Sequence, residues 1–383
     1  MYVYVWGMVY KQKNQFTKAI SLFKQLLEKR PHLVYVRLNY AMLLFDNKQY
    51  KEAAEQFKLV SKDSSVTPDV QQLILSYQTA MDEAQSWKYD FGGNYTQTNN
   101  VNNAPESLES TSSIFLPGGR QVVVRNEQPK SAHGIRYYVS ANKGINLTGN
   151  HYLVLGAGYS GTTYWDAHEY DFKQADATLG YEYRTARYTV GVTGLGLQNW
   201  LGKSRYSHLW GIGTSFTYNI SPVQQLSVNY NYLKRRYHDD EDKGYNGQIN
   251  QFGFTYIYAL PPSWQFFVGS DVARESTQTR YYSSRRVGGR AGFIFNKEDS
   301  FGLRVDARYA IRNFDGKPWF IATDAANRRD HETSIDFSFW HNKIQWKGFV
   351  PKVNISWSRT RSNIPEWYNR RNTEVFLTVE KSF

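Results

Sequence analysis

Arg304, Asp306, Arg308 and Arg312 alternate with Leu303, Val305, Tyr309 and Ile311 in a stretch that begins at Phe301. In a strand, successive side chains point to opposite faces. This spacing therefore puts four charges on one face and a run of apolar groups on the other. Arg286 and Arg290 repeat the spacing just upstream. A charged face of this kind can do one of two things. It can close on itself as a lattice of ion pairs bracing a wet wall, or it can offer a track to an acidic or polyanionic passenger.

Other candidate chemistry is thinner. Asp239-Asp240-Glu241-Asp242 could attract a divalent cation, but the run lacks the glycine and the terminal glutamate of a calcium loop. It reads as a solvated loop, and no metal site is expected. The chain has 8 His and 0 Cys, which excludes thiol nucleophiles and cysteine-based metal sites. His-Glu-x-x-His, Gly-x-Ser-x-Gly and the phosphate-binding P-loop are absent. His151, His331 and His341 fall in strands or at their ends, where structural hydrogen bonds are expected. The sequence thus predicts no catalytic residues, no cofactor and no enzyme.

The elements that must position the charged face are strands. From Trp87 to Phe383 the alternation hardly stops. Leu226, Val228, Tyr230 and Tyr232 alternate with Gln225, Ser227, Asn229 and Asn231; Phe252, Phe254, Tyr256 and Tyr258 alternate with Gln251, Gly253 and Thr255; Ile335, Phe337 and Phe339 alternate with Ser334, Asp336 and Ser338. Aromatics make up 16% of the chain while the mean hydropathy is −0.62. That combination suits a barrel with lipid outside and water inside. No run of apolar residues is long enough for a transmembrane helix. The fold class expected is mainly β, an antiparallel transmembrane β-barrel of about 14 strands, preceded by a short α-helical tetratricopeptide-repeat domain. The domains expected are 1–86 and 87–383.

Short breaker-rich turns at Asn219–Pro222, Leu260–Ser263 and Asn296–Ser300 alternate with longer connections near 98–131, 238–246, 313–328 and 361–371. Short turns are expected on the side of the helical domain and long ones on the other, with both termini on one side. The last strand, with Val375, Leu377, Val379 and the terminal Phe383, carries the alternating apolar ending of outer-membrane barrels, a signal for the barrel-assembly machinery. Lys381 departs from that pattern.

In the helical part, Phe16, Ala19 and Phe23 recur at a period of 34 as Tyr50, Ala53 and Phe57, and Gly7 aligns with Ala41. Small residues at these positions let paired helices approach, and phenylalanine fills the space between them. A further helix over Pro68–Ser86 reads as a cap, with Leu73, Ile74, Tyr77 and Met81 at helical spacing. Two repeats are few for a stable array, and Met1 is not followed by a signal peptide; the sequence is therefore expected to be truncated at its start. Polar residues of the concave face, such as Asn39, are candidates for client binding.

The net charge of +12 is spread unevenly, with 11 basic and 8 acidic residues up to Ser86 and 35 and 26 after it. The basic residues scatter over loops and one strand face instead of forming a nucleic-acid stripe. No nucleic-acid partner is expected; outer-membrane lipid and lipopolysaccharide fit better.

Several segments carry a resemblance. They are Asn100-Val-Asn-Asn-Ala-Pro105, Ser131-Ala-His-Gly134, Gly149-Asn-His-Tyr152, Arg329-Asp330, Phe339-Trp-His341, Gly348-Phe-Val-Pro351, Ser362-Asn-Ile364 and the last strand. In this order, behind a tetratricopeptide arm, the chain resembles the surface lipoprotein assembly modulators, the Slam family. The resemblance implies a Gram-negative outer-membrane translocon with its arm in the periplasm. The arm would engage a client lipoprotein, or a secreted haem- or iron-scavenging protein, and the barrel would help deliver it to the surface. An outer-membrane polysaccharide exporter with a helical arm is the alternative, and a plain porin with an adaptor arm a third reading. A longer repeat array ahead of Met1 would favour the exporter.

Overall fold

The computed structural model describes residues 2–117, 119–321, 326–345 and 349–381. Helices α1 (Tyr2–Gln12), α2 (Phe16–Lys29), α3 (Val34–Asp46), α4 (Tyr50–Ser61) and α5 (Pro68–Gln85) come first. The repeat reading accounts for their packing. Ala19, Ala41, Ala53 and Phe57 are fully buried, and a Cβ at Gly7 would stand 2.7 Å from the Phe23 ring. Phe57 stacks on Tyr77 of α5 at 5.1 Å. Ile74 and Met81 of α5 also join this core, whereas Leu73 is exposed. Leu73 lies one residue off the inward stripe that Ile74, Tyr77 and Met81 define, so its expected packing role is corrected.

The strands are β1 (Lys88–Thr98), β2 (Glu109–Leu116), β3 (Arg120–Arg125), β4 (Ala132–Thr148), β5 (His151–Tyr164), β6 (Phe172–Arg184), β7 (Tyr188–Leu201), β8 (Ser204–Ser221), β9 (Gln224–Tyr237), β10 (Gly247–Leu260), β11 (Trp264–Thr277), β12 (Ser284–Asn296), β13 (Phe301–Phe314), β14 (Arg329–His341), β15 (Phe349–Ser362) and β16 (Arg370–Lys381). Fourteen of them, β1 and β4 to β16, close into one antiparallel barrel, and β2–β3 form a separate hairpin. A short helix α6 (Pro365–Tyr368) precedes β16.

The faces follow the alternation. Phe252 lies opposite Tyr230, Phe254 opposite Val228 and Tyr256 opposite Leu226, while Gly253 faces Asn229. Phe252, Tyr230, Val268, Ile335, Phe337 and Tyr309 are among many large apolar side chains exposed on the outside. At the arm end, Trp264, Phe295, Phe301 and Phe339 form successive ring contacts of 4.7, 5.2 and 6.0 Å around the wall, as an interfacial girdle does. Among the described residues no helix is long and apolar enough to cross a membrane; the strands have that role.

Most turns at the arm end are short, the seven-residue connection 342–348 between β14 and β15 excepted, and most far-end connections are long. One far-end connection departs from that expectation: β7 and β8 are joined by Gly202 and Lys203, with Gly202 at φ +56°. A left-handed glycine supplies the tight reversal. Within 98–131, the hairpin β2–β3 was hidden because its strands lie outside the barrel's regular spacing.

Candidate functional site

The helical arm is fastened to the barrel through the α3–α4 turn. Glu52 accepts hydrogen bonds from the Gly149 amide (2.6 Å) and the Thr148 hydroxyl (2.9 Å). The Lys51 amide donates to Asn146 at 2.9 Å, and Gln49 donates to Asn150 at 2.7 Å. Asn150 in turn donates to the carbonyls of Asn47 and Arg184, tying the β4–β5 turn, the neighbouring β6 end and the arm into one joint. Tyr152 completes it. Although it belongs to β5, its ring is fully buried within the core of the arm, its hydroxyl donates to the Lys48 carbonyl, and Arg184 lies over its outer side at 4.5 Å. The segment Gly149–Tyr152 was legible as a motif, but its docking role was not, because nothing local in it says that a ring on the lumen side of the wall packs into the arm.

Docked this way, the arm runs along the rim. Asn14 and Phe16, at the α1–α2 turn, face Ala186, Arg187, Asn219 to Gln225, Ile257, Ala259 and Gln265 across a cleft of about 550 Å³. The cleft joins the arm to the ends of β8 to β11. Asn39 lies between helices: its amide donates to the Tyr35 carbonyl at 2.8 Å and to the Tyr4 hydroxyl at 3.3 Å. Its amide nitrogen is thus engaged inside the arm.

Beyond the cleft, the face opposite the aromatic band is charged. Arg312 lies opposite Arg286, and Arg308 opposite Arg290, across β12–β13. Carboxylates on strands one or two positions away resolve what would otherwise be repulsion. Glu275 bridges Arg235 and Arg312, the latter at 2.9 Å. Glu332 lies 3.9 Å from Arg312 and 2.8 Å from Arg286, and Arg286 also pairs with Asp271. The chain Arg235–Glu275–Arg312–Glu332–Arg286–Asp271 thus braces β9 to β14. Asp306 pairs with Arg308 at 3.1 Å and more loosely with Arg304 at 3.8 Å. Arg290 donates to the Thr255 hydroxyl at 2.8 Å. Of the two chemistries open to the charged face, the ion-pair lattice therefore holds for Arg286 and Arg312. Arg304 and Arg308 stay about half exposed, at 51% and 47%.

Sequence reasoning named six of these groups and missed Arg235, Asp271, Glu275 and Glu332. A signal existed: Asp271 and Glu275 share one face of β11, as Arg286 and Arg290 share one face of β12. Val375, Leu377 and Val379 point outward from β16; Phe383 lies outside the described residues. His331 bonds Tyr309 at 2.6 Å, His151 bonds Tyr181, and His341 accepts from the Lys343 amide at 3.2 Å. Asp240 of the acidic run pairs with Lys243.

Loops cover the far mouth. Ser110 of β2 donates to the Glu366 carbonyl at 2.7 Å, and the Thr111 amide donates to the Glu366 carboxylate at 2.8 Å. Trp367 of α6 packs on Phe320 at 4.3 Å, Tyr245 stacks on Tyr282 at 3.7 Å, and Arg328 lies 3.5 Å above Tyr368. Burial raises the Tyr245, Tyr282 and Tyr368 phenols above their ordinary range, chiefly by desolvation, so these three rings stay neutral beside the Arg328 guanidinium. Asp315 anchors the 315–321 segment to Arg274, with one contact at 2.9 Å. Hydrogen bonding from Arg274 holds the Asp315 carboxyl below the usual carboxylate range. A depressed pKa means that the clamp contributes fully above the unfolded value of about 3.9 and is lost as pH falls through the folded one. Hydrogen-exchange protection of 315–321, relative to the intrinsic rate at each pH, is therefore expected to be high at neutral pH, lower on strong acidification, and low at neutral pH in Asp315→Asn.

Both the arm and the barrel have counterparts among known families. A family model described as "Surface lipoprotein assembly modifier" matches residues 87–383, and one described as its N-terminal TPR repeats matches residues 1–57. The chain is 28% identical over 395 residues to a surface lipoprotein assembly modifier of Pasteurella multocida, covering 98% of this chain and 75% of that one. It is 28% identical over 408 residues to surface lipoprotein assembly modifier 2 of Neisseria meningitidis, covering 98% and 78%. A hemophilin secretion modulator of Acinetobacter baumannii is 24% identical over 396 residues, again covering 98% and 78%. With its barrel matched from first strand to last and its repeats matched ahead of it, this chain belongs to the surface lipoprotein assembly modifier family.

Proposed function

We propose that this protein is an outer-membrane translocon that delivers client lipoproteins, or secreted haem- or iron-scavenging proteins, from the periplasm to the cell surface. The barrel spans the bacterial outer membrane and the helical arm lies in the periplasm. The observation that carries the reading is the joint: an arm of a peptide-binding type is fixed on the periplasmic rim, with a cleft between its first turn and the ends of β8 to β11. A client held on the arm is thereby kept beside the mouth. The relatives named for lipoprotein assembly and for hemophilin secretion support both client classes.

Arg290, Arg304 and Arg308 are the lumen charges available to a passenger, since Arg286 and Arg312 are held in the lattice. Asn39 reaches a client by exchanging its bond to Tyr4. Val375, Leu377 and Val379, with Phe383, form the signal read by the barrel-assembly machinery; lipid and lipopolysaccharide meet the outer band. The protein acts without catalysis, and folding of the client outside gives the transfer its direction.

The test is a photo-crosslinking residue at Gln265 in the cleft, compared with one at the lipid-facing Tyr230, in cells carrying a client arrested by a folded C-terminal fusion. Client adducts are expected from Gln265 and not from Tyr230. Adducts from neither position, or from Tyr230 alone, would exclude passage by this route.

A further inference from the structure

The barrel does not close evenly. Most neighbouring strands are joined by eleven to fourteen registered pairs. The first and last strands are joined by four: Tyr95 with Leu377, Thr96 with Phe376, Gln97 with Val375 and Thr98 with Glu374. Continued in register, Asn94, Gly93, Gly92 and Phe91 would face Thr378, Val379, Glu380 and Lys381. Both segments exist as strand and are paired on their other sides, β1 with β4 and β16 with β15. Among the described residues they are not paired with each other. The wall is therefore unzipped over the half of the seam that faces the periplasm.

The side chains divide at the same point. On the outer half, Thr96 donates to Glu374 at 2.6 Å, Arg136 reaches the same carboxylate, and Thr98 donates to Asn372 at 2.7 Å. Where the pairing stops, the Asn94 amide nitrogen is buried without a hydrogen-bond partner. Gly92 and Gly93 follow toward the periplasm, and consecutive glycines weaken a strand. Pro351, which has no amide proton to give, lies on the other flank in β15 opposite Val379. Outside, Phe91 and Val379 are exposed at 73% and 52%, on the outward face of the wall.

An unpaired edge in hydrocarbon is unstable unless another backbone satisfies it. We infer that the periplasmic half of the β1–β16 seam is a lateral opening that takes an extended segment of the client in backbone pairing, while the client's acyl anchor stays in the bilayer beside Phe91 and Val379. This rests on the lipoprotein reading of the function and says where the lipid goes. An acyl chain cannot follow a polypeptide through a lumen walled by Arg304, Arg308 and the ion-pair lattice, because each methylene would be transferred from lipid to water. A slit in the wall lets the polar chain occupy the lumen side and the anchor the lipid side. The arm also joins the barrel beside this place: α5 runs through Ser86 and Trp87 directly into β1, and Gln85 accepts from the Asn146 amide at 3.1 Å.

Because the chain has 0 Cys, the seam can be locked without background. In cells whose lipoproteins carry an alkyne fatty acid, the pair G93C/V379C is bridged with a short bis-maleimide, and Q97C/V375C is bridged as the control across strands already paired. Bridging the first pair is expected to lower protease-accessible labelled lipoprotein at least fivefold, and bridging the control to leave it unchanged. In parallel, a photo-crosslinker at Phe91 is expected to capture a labelled lipoprotein; this needs no bridging. Full display with G93C/V379C bridged, or a Phe91 adduct with free lipid or a second copy of this chain in place of lipoprotein, would overturn the proposal. A gene deletion distinguishes the two levels. If deletion strips the lipoproteins and the locked seam does not, the seam proposal alone falls; if deletion leaves them in place, both fall.

Discussion

Tyr152→Ala is expected to release the arm while leaving the barrel folded. The ring is fully buried in the arm core although its backbone belongs to β5, so truncation opens a cavity at the joint between two units. Removing a buried aromatic costs about 3–5 kcal/mol, and the Lys48 carbonyl and Arg184 lose their partner at the same time. The barrel ladders on either side of β5 are unaffected. Heat-modifiable migration of the barrel should stay normal, protease should cut the arm away, and client display should fall at least tenfold. Tyr152→Phe keeps the ring and loses one hydrogen bond, about 0.5–1.5 kcal/mol, so it should keep most display. An arm that stays protected in Tyr152→Ala would mean that the bonds of Glu52 and Asn150 suffice for docking.

Glu275→Ala should damage the barrel far more than Arg304→Ala. This carboxylate is 13% exposed and serves two guanidiniums, Arg235 at 17% and Arg312 at 33% exposed. Removing one partner of a buried ion pair leaves an uncompensated charge and costs about 3–5 kcal/mol; water in the lumen reduces this to roughly 2–3 kcal/mol. The denaturant midpoint of the barrel should drop accordingly. Arg304→Ala, whose side chain is 51% exposed and 3.8 Å from Asp306, should change it by about 0–1 kcal/mol. Equal effects from the two variants would show that the ion pairs do not brace the wall.

The barrel was legible because a strand with lipid on one face and water on the other writes its geometry as a period of two. Residues such as Phe252 and Tyr230 announce their face by type alone. The partners of the lumen arginines were harder to read, since Glu275 and Arg312 sit on strands that are not neighbours, and their meeting depends on register and on the curvature of the wall. The joint was hidden for a related reason. Tyr152 fits its strand's alternation, and its departure into the arm is decided by the β4–β5 turn. Asn39 is a polar residue whose surroundings its type alone does not give; the crossing of α1 and α3 brings Tyr4 to its amide. The open half of the seam left a sequence trace in Gly92-Gly93 and Pro351, which acquires meaning once the strand order makes β1 and β16 neighbours.

The central claim, that this chain carries clients to the cell surface, is tested most directly by protease shaving with mass spectrometry on intact cells, comparing wild type with a strain lacking this gene. The account expects one or a few lipoproteins, or secreted haem-binding proteins, to leave the surface fraction while persisting inside the cell. Unchanged surface and secreted proteins in the deletion strain, with a change in surface polysaccharide instead, would contradict it.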